Sequence, residues 1–192
     1  IGYDHSVVNE ITDEDLKLLE NQLKNEKVVA IGEIGLDYYW IKDNKEKQKK
    51  LFVKELELAE KYNLPVIIHS RDAVQDVYDI LKTRNLRGSI HCYSGSTEMA
   101  KEFIKIGFNI GIDGPITFKN NKKQREMIKN IDINHILVET DSPYLSPEPN
   151  RGKVNTSLNL VYILKQIASE LDMEYEEIKE ITTNNARNLF KI

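Results

Sequence analysis

The sequence predicts an α/β fold on a parallel sheet, closed as a (β/α)8 barrel rather than left open, and two observations lead there. Short β-branched runs alternate with amphipathic stretches of helical period, which is the rhythm of successive βα units. Almost every one of those runs is followed by a residue able to do chemistry. A barrel spreads its chemistry over the C-terminal ends of many strands, whereas an open sheet gathers its ligand at one switch point.

The elements follow in order. A helix is expected over residues 14–24, with Thr12 as its N-cap and Leu16, Leu19 and Leu23 as its buried stripe. Val28-Val29-Ala30-Ile31 reads as the first strand, and Phe52, Leu56 and Ala59 recur at i, i+4 and i+7 on the helix after it. Tyr62-Asn63-Leu64-Pro65 stops that helix, and Val66-Ile67-Ile68 is the second strand. Val74, Val77 and Leu81 mark the next helix, Ser89-Ile90 a brief third strand, and Met99, Phe103 and Ile104 a helix closed by Gly107. Phe108-Asn109-Ile110 and Ile136-Leu137-Val138 are the remaining strands, and residues 157–171 and 183–190 read as helices.

Composition narrows the function. With 192 residues, 40% apolar and 30% charged, the chain can bury a core as one domain, and no Gly/Ser- or Pro-rich linker divides it. A net charge of −4 argues against a protein that coats nucleic acid by bulk attraction, but leaves room for a local, metal-assisted phosphate site. A single cysteine, Cys92, excludes an intramolecular disulfide and a cysteine-built zinc site. With no apolar run long enough to cross a bilayer, a cytoplasmic protein is the expectation.

Reading just past each apolar run gives Glu33, His69, His91 and Asp141 at strand ends, one per βα unit. Singly, each has an ordinary explanation: a hydrogen-bonded core histidine, an ion-paired glutamate, an aspartate in a turn. Together they form a nitrogen and oxygen donor set suited to Zn²⁺, Mn²⁺ or Mg²⁺. Such a set makes hydroxide available near neutral pH, and a second ion can stabilise a leaving oxygen.

The stretches GEIGLDYY (32–39), PVIIHSRDA (65–73), IHCYSGS (90–96), GPITFKN (114–120) and LVETDSPYLSP (137–147), with the closing ITTNNARNLF (181–190), resemble the successive signatures of the TatD-related deoxyribonucleases. These are metal-dependent TIM-barrel hydrolases. The resemblance implies that Glu33 bridges two divalent ions, that His69 and His91 complete one of them, and that Asp141 holds the other and orients or deprotonates the attacking water. It places Asp37, Arg71, Tyr93, Ser94, Gly95 and Ser96 in the adjoining loops, and of these Arg71, Tyr93, Ser94, Gly95 and Ser96, together with Tyr144, would contact substrate. Ser94-Gly95-Ser96 opens a helix and could receive a phosphate oxygen or be a plain cap. Arg71 could clamp phosphate or form an ion pair with Asp72 or a neighbouring Glu. Tyr38, Tyr39, Trp40 and Tyr144 could stack on bases or pack the loops. The basic runs Lys45 to Lys50 and Lys119 to Lys123 read as solvated faces, His135 as structural, and Cys92 as pointing away from the site.

The family's first strand carries His-x-His, which this chain lacks, and its Gly-x-His-Pro motif reads Gly2-Tyr3-Asp4-His5 here, so His5 reads as an exposed loop histidine. Against about 250 residues for a typical barrel, the 192 present are expected to be units three to eight of one domain. With the partner site reduced to Glu33 and Asp141, one tightly held ion per chain is the expectation. The activity implied is hydrolysis of DNA phosphodiesters at strand ends through metal-activated water. The alternatives are hydrolysis of a small-molecule ester or amide, and a truncated remnant that binds metal without turnover.

Overall fold

Thr12 starts the first helix by a reciprocal pair of hydrogen bonds. Its hydroxyl accepts the Asp15 N–H, and the Asp15 carboxylate accepts the Thr12 N–H. The computed structural model describes residues 1–40 and 43–192 and resolves them into two units, Ile1–His91 with Leu189–Ile192, and Cys92–Asn188.

The first unit holds α1 (Asp13–Gln22), β1 (Ile31–Asp37), α2 (Lys45–Tyr62), β2 (Val66–Arg71), α3 (Val74–Leu81) and β3 (Gly88–Ile90). β1 pairs in parallel with β2, and β2 in parallel with β3. The helices cover this sheet with the stripes read from sequence, for Phe52, Leu56 and Ala59 of α2 and Val77 and Leu81 of α3 are all buried. Asn63 ends α2 in the left-handed conformation, which its short polar side chain tolerates.

β1 differs from expectation. It begins at Ile31 and runs on through Gly32-Glu33-Ile34-Gly35-Leu36-Asp37 instead of ending at Ile31. Two glycines and two carboxylates hide this strand from a reading based on β-branched residues. Pairing with β2 stabilises it all the same, as the Ile31 N–H donates to the Pro65 carbonyl at 3.0 Å and Gly35, Leu36 and Asp37 lie opposite His69, Ser70 and Arg71. β2 likewise continues past Ile68. Glu33 and His69 are therefore inside strands, not past their ends.

The second unit holds α4 (Thr97–Lys105), β4 (Phe108–Ile112), α5 (Lys122–Lys129), β5 (Ile136–Val138), α6 (Leu160–Leu171) and most of α7 (Tyr175–Phe190). β4 and β5 are parallel, with Ile110 opposite Ile136 and Ile112 opposite Val138. α7 begins at Tyr175 rather than near residue 183, because part of its buried stripe is polar. Thr182 and Asn185 are buried on it: the Thr182 hydroxyl donates to the Ile178 carbonyl, and the Asn185 amide to the carbonyls of Ile133 and Ile136 at 2.8 and 2.9 Å. Among the described residues no helix is long and apolar enough to cross a membrane.

Candidate metal centre

A β-bulge aims Glu33. Between the paired positions Ile31↔Val66 and Ile34↔Ile68, β1 carries one residue more than β2. The extra residue lets Ile31 and Ile34, three apart, both be fully buried, while Glu33 between them stays exposed. Its Oε1 lies 3.5 Å from Nε2 of His91. His91 directly follows β3, and its backbone N–H is fixed to the Ile68 carbonyl at 2.9 Å.

His69 is placed by β2, opposite Gly35. There the two backbones approach so closely that a Cβ on Gly35, whose φ is +145°, would lie 2.0 Å from the His69 carbonyl oxygen. Only glycine fits. Asp37, 1% exposed, lies at the end of the same strand. Its Oδ1 accepts the N–H groups of Tyr39 and Trp40 at 2.9 and 3.1 Å, and its Oδ2 meets Nε2 of His69 at 3.0 Å and Nε2 of His5 at 3.6 Å. Gln48 of α2 clamps the Asp37 backbone, accepting its N–H and donating to its carbonyl, both at 2.8 Å. Burial opposes ionisation of Asp37, but the Trp40 N–H, the His69 ring and the Tyr39 N–H together hold its carboxyl below the usual carboxylate range.

His5 is not the exposed loop residue expected from sequence. Its side chain is 12% exposed, and its ring stacks on that of His69 with centroids 4.8 Å apart and planes inclined by 14°. Burial alone would favour the neutral imidazole, yet the hydrogen bond and charge of Asp4, with the charges of Asp37 and Glu33, push its pKa up. The Tyr3 N–H, donated to the Glu55 carboxylate at 2.7 Å, ties this segment to α2. Sequence reasoning missed His5 because one displaced residue breaks the motif, and only packing shows that the displaced imidazole still reaches His69. His5, Asp37 and His69 each offer a ligand atom, all within 4.8 Å of one another. Two imidazoles and a carboxylate fit a divalent ion of the Zn²⁺ or Mn²⁺ kind.

The remaining first-unit residues also take definite places. The Arg71 guanidinium stands 4.0 Å from the Tyr39 ring centroid. Tyr38 is buried, and its hydroxyl donates to Asp76 at 2.7 Å, so its ring is not presented for stacking. The lysines at 45, 47 and 50 are exposed, as expected of a solvated face, while Gln48 between them turns inward.

In the second unit, Tyr93 is buried and its hydroxyl donates to the Ser96 carbonyl at 2.7 Å. A Cβ on Gly95 would lie 2.3 Å from that hydroxyl oxygen. Ser96 caps α4, its hydroxyl accepting the Met99 N–H at 3.2 Å, while Ser94 is exposed. Asp141 has a φ of +53° and its carbonyl accepts the Tyr144 N–H at 2.8 Å; the Tyr144 ring is exposed. Burial, then the charges of Glu139, Asp113 and Asp141, push the Cys92 thiol pKa up, which disfavours the nucleophilic thiolate. The Cys92 N–H donates to Glu139 at 2.5 Å. Glu139 carried no sequence signal of its own beside Asp141.

The profile of the TatD related DNase family matches residues 2–191. The chain belongs to that family. It is 46% identical over 195 residues to the uncharacterized metal-dependent hydrolase YabD of Bacillus subtilis, covering 100% of this chain and 76% of that one. It is 36% identical over 181 residues to YcfH of Escherichia coli, similarly named, covering 93% and 68%. The crystal structure of the TatD homologue YjjV from E. coli superposes with a TM-score of 0.93 at 31% identity, over 100% of this chain and 76% of that one. A TatD-family hydrolase from Entamoeba histolytica gives 0.84 at 26% identity, over 99% and 73%. The expected α/β fold with a parallel sheet is thus that of the TatD barrels.

Proposed function

We propose that this TatD-family chain is a metal-dependent hydrolase that cleaves phosphodiester bonds at DNA ends. The observation that carries the reading is the convergence on β1, β2 and the residue after β3 of Glu33 with His91 and of His69 with Asp37 and His5, in a chain whose relatives are named metal-dependent hydrolases. Glu33, His69 and His91 would hold a divalent ion, and Asp141, by its place in the family motif, would be a metal ligand in its own right. When bound, the ion supplies an activated water near neutral pH and neutralises charge on a phosphate oxygen. Asp37 keeps the His69 ring in one orientation, as carboxylates behind metal-binding imidazoles do.

The test is hydrolysis of a short end-labelled DNA by metal-stripped protein resupplied with Zn²⁺, Mn²⁺ or Mg²⁺. Shortening from the ends that requires metal and is abolished by Glu33→Gln supports the reading. Turnover of small esters or amides with no DNA product would move the activity to a small-molecule hydrolase, and metal binding with no turnover of either would identify a non-catalytic remnant.

A further inference from the structure

The chain's one tryptophan, Trp40, is 69% exposed in the turn after β1, and Tyr39 beside it is 48% exposed. Their rings meet edge to face, with centroids 4.8 Å apart and planes at 88°. Large aromatic side chains left together in water forgo burial that the fold gives to smaller residues nearby, such as Leu36, fully buried on β1. The guanidinium of Arg71 joins them, 4.0 Å from the Tyr39 centroid and 5.3 Å from that of Trp40. Arg71 follows His69 by two residues on β2, so it projects from the same face of that strand.

The same carboxylate that meets His69 holds this shelf. Asp37 Oδ1 accepts both aromatic residues' N–H groups while Oδ2 meets the His69 ring. Shelf and imidazole are therefore fixed relative to one another by one buried group. A planar cation against an exposed aromatic pair suits a flat, electron-rich ligand that also carries negative charge, which describes a nucleotide.

We propose that Tyr39, Trp40 and Arg71 form a nucleobase-stacking subsite beside the hydrolytic centre, taking the base of the nucleotide whose phosphodiester bond is presented there. The proposal rests on the DNA-end reading above and adds where the base goes. Stacking on aromatic faces tolerates any base, so the subsite selects for a base and not for a sequence.

Trp40 supplies a readout independent of turnover. Titration with deoxyadenosine 5′-monophosphate is expected to quench its fluorescence saturably, while 2-deoxyribose 5-phosphate, which has no base, leaves it unchanged at the same concentrations. Tyr39→Ala and Arg71→Ala should each weaken the nucleotide's binding by about tenfold, the scale of one stacking contact, and Trp40→Ala should raise KM for a short DNA by a similar factor. Equal quenching by both probes, or nucleotide binding unaltered in both variants, would overturn the subsite. DNA-end hydrolysis with KM unmoved by Tyr39→Ala and Trp40→Ala would remove the subsite and leave the activity standing. Base-dependent quenching without DNA hydrolysis would keep the subsite and remove the activity.

Discussion

Strand β1 in the first unit and the segment after β5 in the second both carry acidic residues suited to binding metal, but they hold them by different means. Glu33 and Asp37 lie on a strand paired with β2, so sheet backbone and one bulge set their positions. Asp141 lies beyond β5 in irregular chain, where buried asparagines do the bracing. The Asn155 amide donates to the carbonyls of Thr140 and Tyr144 at 2.6 and 2.7 Å, its N–H donates to the Pro143 carbonyl, and its Oδ1 accepts from Asn159 at 2.8 Å. The difference teaches that a donor on a strand depends on pairing and close approach, while a donor on a loop depends on side chains that replace the missing ladder.

Removing donors from the strand-held region should have the largest effect. Glu33→Ala, His69→Ala and His91→Ala are expected to lower metal content and metal-dependent turnover by ~100-fold or more, since indirect partners alone reach 10–100-fold; direct metal analysis after dialysis checks this, and full retention of metal by all three would contradict the site. Asp37→Asn keeps the shape but weakens the link to His69, and calorimetry should show metal affinity reduced by about 10–100-fold.

Asn155→Ala sharpens the contrast from the other side. Leaving the Thr140 and Tyr144 carbonyls without their amide donor should cost about 1–3 kcal/mol, lowering Tm by a few degrees. Metal bound at the proposed Glu33, His69 and His91 ligands should be retained, and its loss would contradict the assignment of the bracing by Asn155 to the Asp141 loop alone. The smallest effect concerns Glu55, fully buried on α2 with its carboxyl pushed up to about 8 by burial. Because the folded pKa lies above the unfolded one, the stability it contributes is complete below about pH 4.5 and is lost as pH rises through about 8. Glu55→Gln should flatten that decline in urea melts at a series of pH values, and an unchanged slope would mean that the carboxyl is not buried in solution.

Much of the fold was legible because burial leaves a periodic trace. The stripes of α2 and α3, the cap at Thr12 and the left-handed stop at Asn63 all follow from local preference and apolar spacing. β1 and α7 were misread at their boundaries because what stabilises them is nonlocal: pairing with β2 carries a strand through glycines and carboxylates, and Asn185 buries its amide against carbonyls far away in the chain.

The site divides in the same way. The chain's own residues, with the motif resemblance they carry, singled out Glu33, His69, His91 and Asp141, since metal-competent side chains placed after successive apolar runs are conspicuous in one dimension. Only the tertiary structure decided that a bulge turns Glu33 toward His91, that Gly35 lets the backbone pass His69, that Asp37 joins His69 to the Tyr39–Trp40 shelf, and that His5 stacks on His69. Each depends on distances between segments far apart in sequence, and such distances are set by packing, of which local propensity holds no record.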